Sequence, residues 1–397
     1  MEVSKRDLSL NEQQPGLNPG NVAGGRRRLL LLVNPYASKV SPGLRTAIAT
    51  ALSGVYELDL AETERRDHAT EICRAAHGQG YDAVIALGGD GTANEAANGL
   101  AGSNIALSVL PGGRANVYCR MIGIPAKLDD AVQHLIGLAE RWRPQQLDLG
   151  WVTVGGSSAI PASSVSAANP ANPANPTRRY FLFSTGVGLD AAVVAQVDAR
   201  PRLKRRFGEY YYAWVATKTY IRRYLLHPPQ MVVRAGSLPV AQPGDVGVAG
   251  ARARAGARAR AGAGAGAGAR AEAEVGAVSQ LEVRGVTALI QNGDVYTYFG
   301  DRAVQMALGA SLRSGDLAGL VLKRTSPLDI PTVAWRALSR RAAVTGHRQV
   351  TGLESLHELR IDSRESQPLP LQVDGDHIGD YTSFEFGVTP AAIKIVA

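Results

Sequence analysis

Cysteine is scarce in this chain of 397 residues, which contains only Cys73 and Cys119. Two cysteines cannot build a disulfide framework, so the sequence favours a protein of the reducing cytoplasm. Long apolar runs are also lacking, and we therefore expect no membrane-spanning helix. Residues 1–25 are polar and have no apolar core of the kind found in signal peptides, so we expect them to form a disordered tail.

Positive charge is distributed unevenly along the chain, whose formal net charge is +8. Much of the excess lies in the low-complexity segment 236–277 and in a basic, aromatic stretch that begins at Arg202. A surplus concentrated in this way does not by itself indicate a nucleic-acid surface. We therefore expect no nucleic-acid partner.

The most informative stretch is an apolar run at residues 83–87 that leads into Gly-Gly-Asp-Gly-Thr at residues 88–92. It predicts a buried strand, a tight loop and a helix N-terminus, where backbone N–H groups and the helix dipole can bind phosphate. Asp90 would repel that phosphate unless a divalent cation lay between them, which indicates Mg²⁺ chemistry. The alternative is an ordinary strand-to-helix turn in which Asp90 is only a helix cap.

Strands and helices alternate through residues 26–144, which predicts a doubly wound, mostly parallel α/β domain. Asn34 follows the apolar run at residues 29–33, and a second glycine turn at residues 111–116 follows another such run. Because parallel strands end at the same edge of a sheet, we expect both glycine turns to form one site. The helices of this domain are expected at residues 42–52, 67–79 and 128–138, and its remaining strand at residues 55–60.

Residues 145–386 consist mainly of short strand-like runs, which predict an antiparallel β-sandwich domain. Segments 155–177 and 236–277 have low complexity, and we expect both to be disordered insertions. A single helix is expected at residues 201–226, where cations lie beside aromatic residues. It either docks on an anionic membrane or packs its aromatic rings on the sheet. Residues 387–397 are expected to complete the first domain.

Six motifs occur in the order found in bacterial diacylglycerol kinases and sphingosine kinase-like lipid kinases, so the sequence resembles that family from about residue 29 to its C-terminus. The resemblance implies a nucleotide-binding α/β domain joined to a β-sandwich domain, with the active site in the cleft between them. The motifs are Asn34-Pro35, residues 88–92, residues 111–116, residues 186–190, Asn292-Gly293 and residues 374–376.

The resemblance further implies an ATP- and Mg²⁺-dependent kinase whose substrate is a lipid, most simply diacylglycerol. It assigns the catalytic general base to the turn that carries Asp374 and Asp376. Of these two residues we favour Asp374 as the base, because a strand ends directly before it. It assigns the metal to Asp90 and, through water, to Asp148. The implied nucleotide-binding residues are Asn34, Thr63, Gly88, Gly89, Asp90, Gly91, Thr92, Asn94, Glu95, Gly112, Gly113, Arg114 and Asn116.

Three departures from the family pattern leave alternatives open. Arg114 stands where threonine is usual, Val117 where many members have aspartate, and Ser314 where an acidic residue is usual. They allow a catalytically impaired regulator that binds nucleotide or lipid. The glycine loop alone also allows a soluble-metabolite kinase such as an NAD kinase-like enzyme. We expect a cytoplasmic protein bound peripherally to an anionic membrane, and homodimer formation is left open.

Overall fold

The computed structural model describes residues 26–157, 178–225, 228–235, 281–339 and 341–397. The expected tail at residues 1–25, most of the insertion 155–177 and all of the insertion 236–277 lie outside the described residues. The first insertion was expected to begin at residue 155, but a strand continues to Ser157.

The first half of the chain is built on four parallel strands in the order β2-β1-β3-β4. The strands β3 and β4 are buried along their whole length, which explains why each is a nearly continuous apolar run. The strands are β1 (Arg28–Val33), β2 (Glu57–Glu62), β3 (Ala83–Gly88) and β4 (Ala106–Pro111). The helices are α1 (Pro42–Ser53), α2 (His68–Ala75), α3 (Asp90–Leu100), α4 (Val117–Met121) and α5 (Leu128–Gly137).

The second half consists mainly of antiparallel strands and has its own apolar core. Its strands are β5 (Gln145–Ser157), β6 (Arg179–Phe181), β7 (Ser184–Gly188), β8 (Met231–Ala235), β9 (Leu281–Gly285), β10 (Thr287–Gln291), β11 (Thr297–Phe299), β12 (Arg302–Val304), β13 (Leu317–Leu322), β14 (Val350–Leu356), β15 (Glu358–Ser363), β16 (Leu369–Val373) and β17 (Asp376–Ile395). The α/β architecture followed by antiparallel strands confirms the expected fold class.

One long strand joins the two halves. The strand β17 pairs with β5, β15 and β16 in the second half, and its last residues pair in parallel with β4, with Lys394 opposite Ala106. The described strands other than β11 and β12 thereby form one sheet of 15 strands. The chain thus returns to the α/β half at its C-terminal end.

The second half holds more helix than the single stretch predicted from the sequence. The predicted stretch is helix α7 (Pro201–Thr219), which kinks at Gly208 and continues as a π-helix, Tyr220–Tyr224. Two helices were not expected: α6 (Leu189–Asp198) and α8 (Ile330–Leu338). No helix in the described ranges has the length and apolar character needed to cross a bilayer.

Candidate active site

The two glycine turns after β3 and β4 lie directly against each other. The Gly112 N–H donates to the Gly88 carbonyl at 2.8 Å. A Cβ atom on Gly112 would lie 3.0 Å from the Cα of Gly88, and one on Gly113 would lie 2.7 Å from the Cα of Gly89. Side chains at these positions would force the backbones apart, so glycine is required for the approach. The structure therefore brings the two predicted loops together at one edge of the sheet.

Polar side chains surround the start of this loop. The Asn34 Nδ2 group donates to Thr92 Oγ1 at 2.9 Å, which joins the end of β1 to the first turn of α3. Thr63 is buried at the end of β2, where its N–H donates to the Val33 carbonyl at 2.9 Å. Two of the predicted nucleotide-binding residues thus lie at the carboxyl ends of adjacent parallel strands, where α/β sheets bind ligands, and Thr92 lies in the helix that follows the next strand.

Asp90 lies at the N-termini of two helices. It is the first residue of α3, and its Oδ1 accepts a hydrogen bond of 3.0 Å from the backbone N–H of Tyr118 in α4. Desolvation raises the pKa of Asp90 to about 6, and the negative charge of Asp376 adds to this increase. A cation bound here would offset both effects, since it would stabilise the ionised carboxylate.

The turn between β16 and β17 carries Asp376 from the second half onto the glycine loop of the first. A Cβ atom on Gly91 would lie only 2.5 Å from Asp376 Oδ2, so the absence of a side chain at Gly91 makes room for this carboxylate. The turn uses positive φ angles at Asp374 (48°) and Gly375 (85°). Asp376 therefore lies in the cleft between the halves, beside the predicted phosphate loop.

Asp374 lies only two residues away but has a different environment. Its side chain is 4% exposed and accepts four hydrogen bonds, two on each carboxylate oxygen. Burial raises its pKa to about 6. The Asp374 carboxylate joins the corner between β6 and β7 to α3. This structural role favours Asp376 over Asp374 as the residue that transfers the proton. The sequence had favoured Asp374, so the structure reverses that order. The donors are the N–H groups of Leu182 (2.7 Å), Phe183 (3.0 Å) and Ser184 (3.0 Å) and Nδ2 of Asn94 (2.8 Å).

Asn94 and Glu95 hold the elements around the loop. Besides its bond to Asp374, the Asn94 amide donates to the Tyr180 carbonyl at 2.9 Å and is buried. A Glu95 carboxylate oxygen accepts the Ala69 N–H at 3.2 Å, at the start of α2, and burial raises its pKa. These contacts favour a supporting role for both residues, which were predicted to bind nucleotide.

Asp148 likewise uses both of its carboxylate oxygens within the protein. Its Oδ1 accepts the Ala391 N–H and its Oδ2 accepts the Gly315 N–H, each at 2.8 Å, and the residue is buried. It therefore joins strand β17 and the loop before β13 to β5. This arrangement favours a structural role over the water-mediated metal contact implied by the resemblance.

The second glycine turn is shaped by Asn116 and crossed by Arg114. The Asn116 side chain exchanges two hydrogen bonds of 2.9 Å with the Gly113 backbone, and its own φ is 45°. The exposed Arg114 reaches the second half, where its guanidinium lies against Gly208 at the kink of α7. The unusual arginine thus links the glycine turn to α7.

A hydrogen-bond network behind Asp376, centred on the buried Gln372, was not predicted from the sequence. Gln372 Nε2 donates to Asp190 Oδ2 at 3.0 Å, and Gln372 Oε1 accepts the Gly375 N–H at 2.9 Å. Tyr296 Oη donates to the other oxygen of Asp190 at 2.5 Å, and burial raises the pKa of Asp190. Gln372 thereby fixes the residue that precedes Asp376. The available signal was a polar side chain inside the apolar run of β16.

The first half of the chain is similar in sequence to known proteins. Residues 28–148 match the family model of the diacylglycerol kinase catalytic domain. A Pseudomonas putida protein named "Probable lipid kinase YegS-like" is 32% identical over 128 residues, which are 32% of this chain and 41% of that protein. A Staphylococcus aureus protein named "Diacylglycerol kinase" is 35% identical over 116 residues, 28% of this chain and 36% of that protein. The chain therefore matches less than half the length of these curated relatives.

The whole chain is similar in fold to a solved structure. The crystal structure of a diacylglycerol kinase from Bacillus anthracis superposes with a TM-score of 0.56 at 15% identity, over 94% of this chain and 97% of that chain. This likeness covers both halves, whereas the sequence matches cover the first. The resemblance that the motifs carry is confirmed, and residues 28–148 are the part of the chain that is similar in sequence to the diacylglycerol kinase catalytic domain.

Proposed function

We propose that this protein is a lipid kinase that transfers the γ-phosphoryl group of ATP to a lipid hydroxyl, with diacylglycerol as the substrate and Mg²⁺ as the metal. The observation that carries the proposal is the position of Asp376, which reaches from the second half onto Gly91 of the glycine loop. A phosphate-binding loop and a carboxylate across a cleft are the two parts that phosphoryl transfer to a hydroxyl requires.

The residues divide the work by position. The backbone N–H groups at the start of α3 would bind phosphate oxygens, since the helix dipole favours negative charge there. Asp376 would accept the proton of the lipid hydroxyl as its oxygen attacks phosphorus. Gln372 would keep the turn in place through its bond to Gly375.

The residues near Asp90 fit a magnesium ion. No group of three or more His, Cys, Asp or Glu side chains in the described ranges is arranged to hold a metal. However, Mg²⁺ commonly binds through one or two carboxylates and substrate phosphates, and Asp90 supplies such a carboxylate at the phosphate-binding end of α3. When bound, the ion would neutralise charge on the phosphoryl oxygens.

Helix α7 supports peripheral binding to an anionic membrane. Its residues Tyr211 and Val215 pack inward, while Phe207 (51%), Tyr210 (87%) and Trp214 (54%) are exposed. The two alternatives for this helix were docking on a membrane and packing against the protein, and they apply to its outer and inner faces respectively. Exposed rings beside basic residues are typical of helices that lie in the membrane interface.

The proposal is tested by incubating the protein with labelled ATP, Mg²⁺ and a panel of lipids that carry free hydroxyl groups, followed by separation of the products. We expect diacylglycerol to give a labelled phosphomonoester. NAD serves as the soluble acceptor in the same panel. Label in NAD phosphate would indicate the soluble-metabolite kinase, and ATP binding with no transfer to any acceptor would indicate the regulator.

A further inference from the structure

Helix α8 is apolar on the side that faces solvent. Most of its residues are apolar, yet none of its nine described residues is buried. Ile330, Val333 and Ala337 are half-buried against the core beneath the helix, whereas Trp335 is 57% exposed and Leu338 is 45% exposed. A surface helix normally places polar residues on its outer face. The outer face of α8 is therefore suited to contact an apolar partner.

A hairpin next to α8 extends this surface into a groove. The strands β11 and β12 form a separate two-stranded sheet, and Phe299 at its tip is 59% exposed. Phe299, Trp335 and Leu338 line an open groove of about 980 Å³, together with Arg302 and Arg341. Both the helix and the hairpin thus contribute exposed apolar side chains to one concave surface.

The charge of the groove indicates what binds there. Arg302 and Arg341 both line it. Its acidic residue, Asp301, forms an ion pair of 3.4 Å with Arg120 of α4. The groove therefore presents net positive charge around aromatic and aliphatic side chains. This combination matches the headgroup region of an anionic bilayer, where arginine binds lipid phosphate and tryptophan lies between water and hydrocarbon.

We propose that the groove between α8 and the β11–β12 hairpin docks on an anionic lipid bilayer, with Phe299, Trp335 and Leu338 entering the headgroup region. This inference rests on the proposed lipid kinase function. It adds to that function a second surface, besides helix α7, that contacts the membrane containing the substrate.

The groove is connected to both the phosphate loop and helix α7. Arg120 donates to the Gly300 carbonyl at 2.9 Å and stacks over the Tyr298 ring, 3.6 Å from its centre. Arg120 belongs to α4, whose first turn donates to Asp90. On the other side, Tyr220 and Tyr224 of the π-helix that continues α7 share one apolar cluster with α8. Docking at the groove would therefore involve elements that contact the active site directly.

Sedimentation of the full-length protein with phospholipid vesicles tests the proposal without ATP or turnover. Leu338→Ser should weaken binding to vesicles that contain phosphatidylglycerol by about tenfold, as expected for losing one buried apolar side chain. Leu60→Ser is the matched control, because Leu60 is also 45% exposed but lies on β2. Arg341→Gln should weaken binding by about fivefold on these vesicles only, and not on pure phosphatidylcholine. Arg143→Gln, an exposed position in the first half, controls for charge.

Quenching by brominated lipids, measured with the vesicles in saturating excess, gives a second readout that reports insertion rather than affinity. The wild type should lose part of its tryptophan fluorescence on such vesicles, and Trp335→Phe should lose measurably less. Equal effects of Leu338→Ser and Leu60→Ser, or unchanged quenching in Trp335→Phe, would overturn the proposal. A change of oligomeric state in Leu338→Ser with unchanged vesicle binding would instead identify a second copy of the chain as the occupant.

The docking groove and the lipid kinase function can be refuted independently. Vesicle binding that depends on Leu338 and Arg341 supports the groove even if no lipid is phosphorylated. Phosphorylation of diacylglycerol with vesicle binding that ignores both residues supports the kinase and overturns the groove.

Discussion

Replacing Asp374 with asparagine should destabilise the fold. Each carboxylate oxygen of Asp374 accepts two hydrogen bonds, three of the four donors being backbone N–H groups. Asparagine keeps one oxygen and places an NH₂ group against the other pair of donors. Two buried donors then lose their acceptor at a cost of roughly 1–3 kcal/mol each, so the free energy of unfolding should fall by roughly 2–6 kcal/mol.

The matched substitution is Asp376→Asn, two residues further along the same turn. Asp376 is half-buried in the cleft, so this change should leave the unfolding transition in place. Because the substitution removes the proposed proton acceptor, kcat should fall by roughly 10²–10⁴-fold. The ATP KM should change little.

Denaturant unfolding and single-turnover phosphorylation of a lipid diol, measured on both variants, separate the two roles. The reasoning is refuted if Asp374→Asn unfolds at the wild-type denaturant concentration, since the four donors would then not depend on that carboxylate. It is also refuted if Asp376→Asn turns over at the wild-type rate.

Four further changes have definite expected outcomes. Asp90→Ala should abolish lipid phosphorylation with little change in melting temperature, and a wild-type rate in an activity assay would contradict its role. Gly113→Ala should raise the ATP KM in the same assay, because its Cβ would meet the neighbouring glycine backbone at 2.7 Å. Replacing residues 236–280 with a short Gly-Ser turn should leave thermal unfolding unchanged, since β8 and β9 pair directly at the ends of that segment; a large loss of stability would contradict this. Burial lowers the pKa of His347 below its usual 6.5. The neutral imidazole therefore stabilises the folded protein fully above pH 6.5, and this stability is lost as the pH falls below 6.5. His347→Gln should make the free energy of unfolding depend less on pH in denaturant titrations.

Local sequence signals were sufficient for the first half of the molecule. The strand β3 and its glycine loop were predicted from an apolar run and its glycines, and the structure has them at Ala83–Gly88 and at the start of α3. The boundaries were less accurate: β2 begins at Glu57 rather than residue 55, and α2 ends at Ala75 rather than residue 79. Such ends depend on packing against neighbours rather than on composition.

The roles of the two aspartates could not be ordered from the sequence. Both flank one glycine, and the argument for Asp374 rested on the strand before it. The structure gives Asp374 its donors through residues nearly two hundred positions earlier in the chain, at the corner between β6 and β7. Only long-range pairing reveals that contact.

The helices α6 and α8 were missed for a local reason. The short run of alanine and valine residues in α6 fits a buried strand as well as a helix. Helix α8 has only nine residues, and its β-branched residues Ile330, Thr332 and Val333 favour a strand over a helix.

The most direct test of the central claim follows the γ-phosphoryl group of ATP. The wild-type protein, Asp376→Asn and Asp90→Ala are each given γ-labelled ATP, Mg²⁺ and diacylglycerol in anionic vesicles, and label is counted in the lipid phase beside ADP in the aqueous phase. We predict one labelled phosphatidic acid for each ADP with the wild type and almost none with either variant. Label released to water or left on ATP in the wild type, with no labelled lipid, would contradict the proposed function.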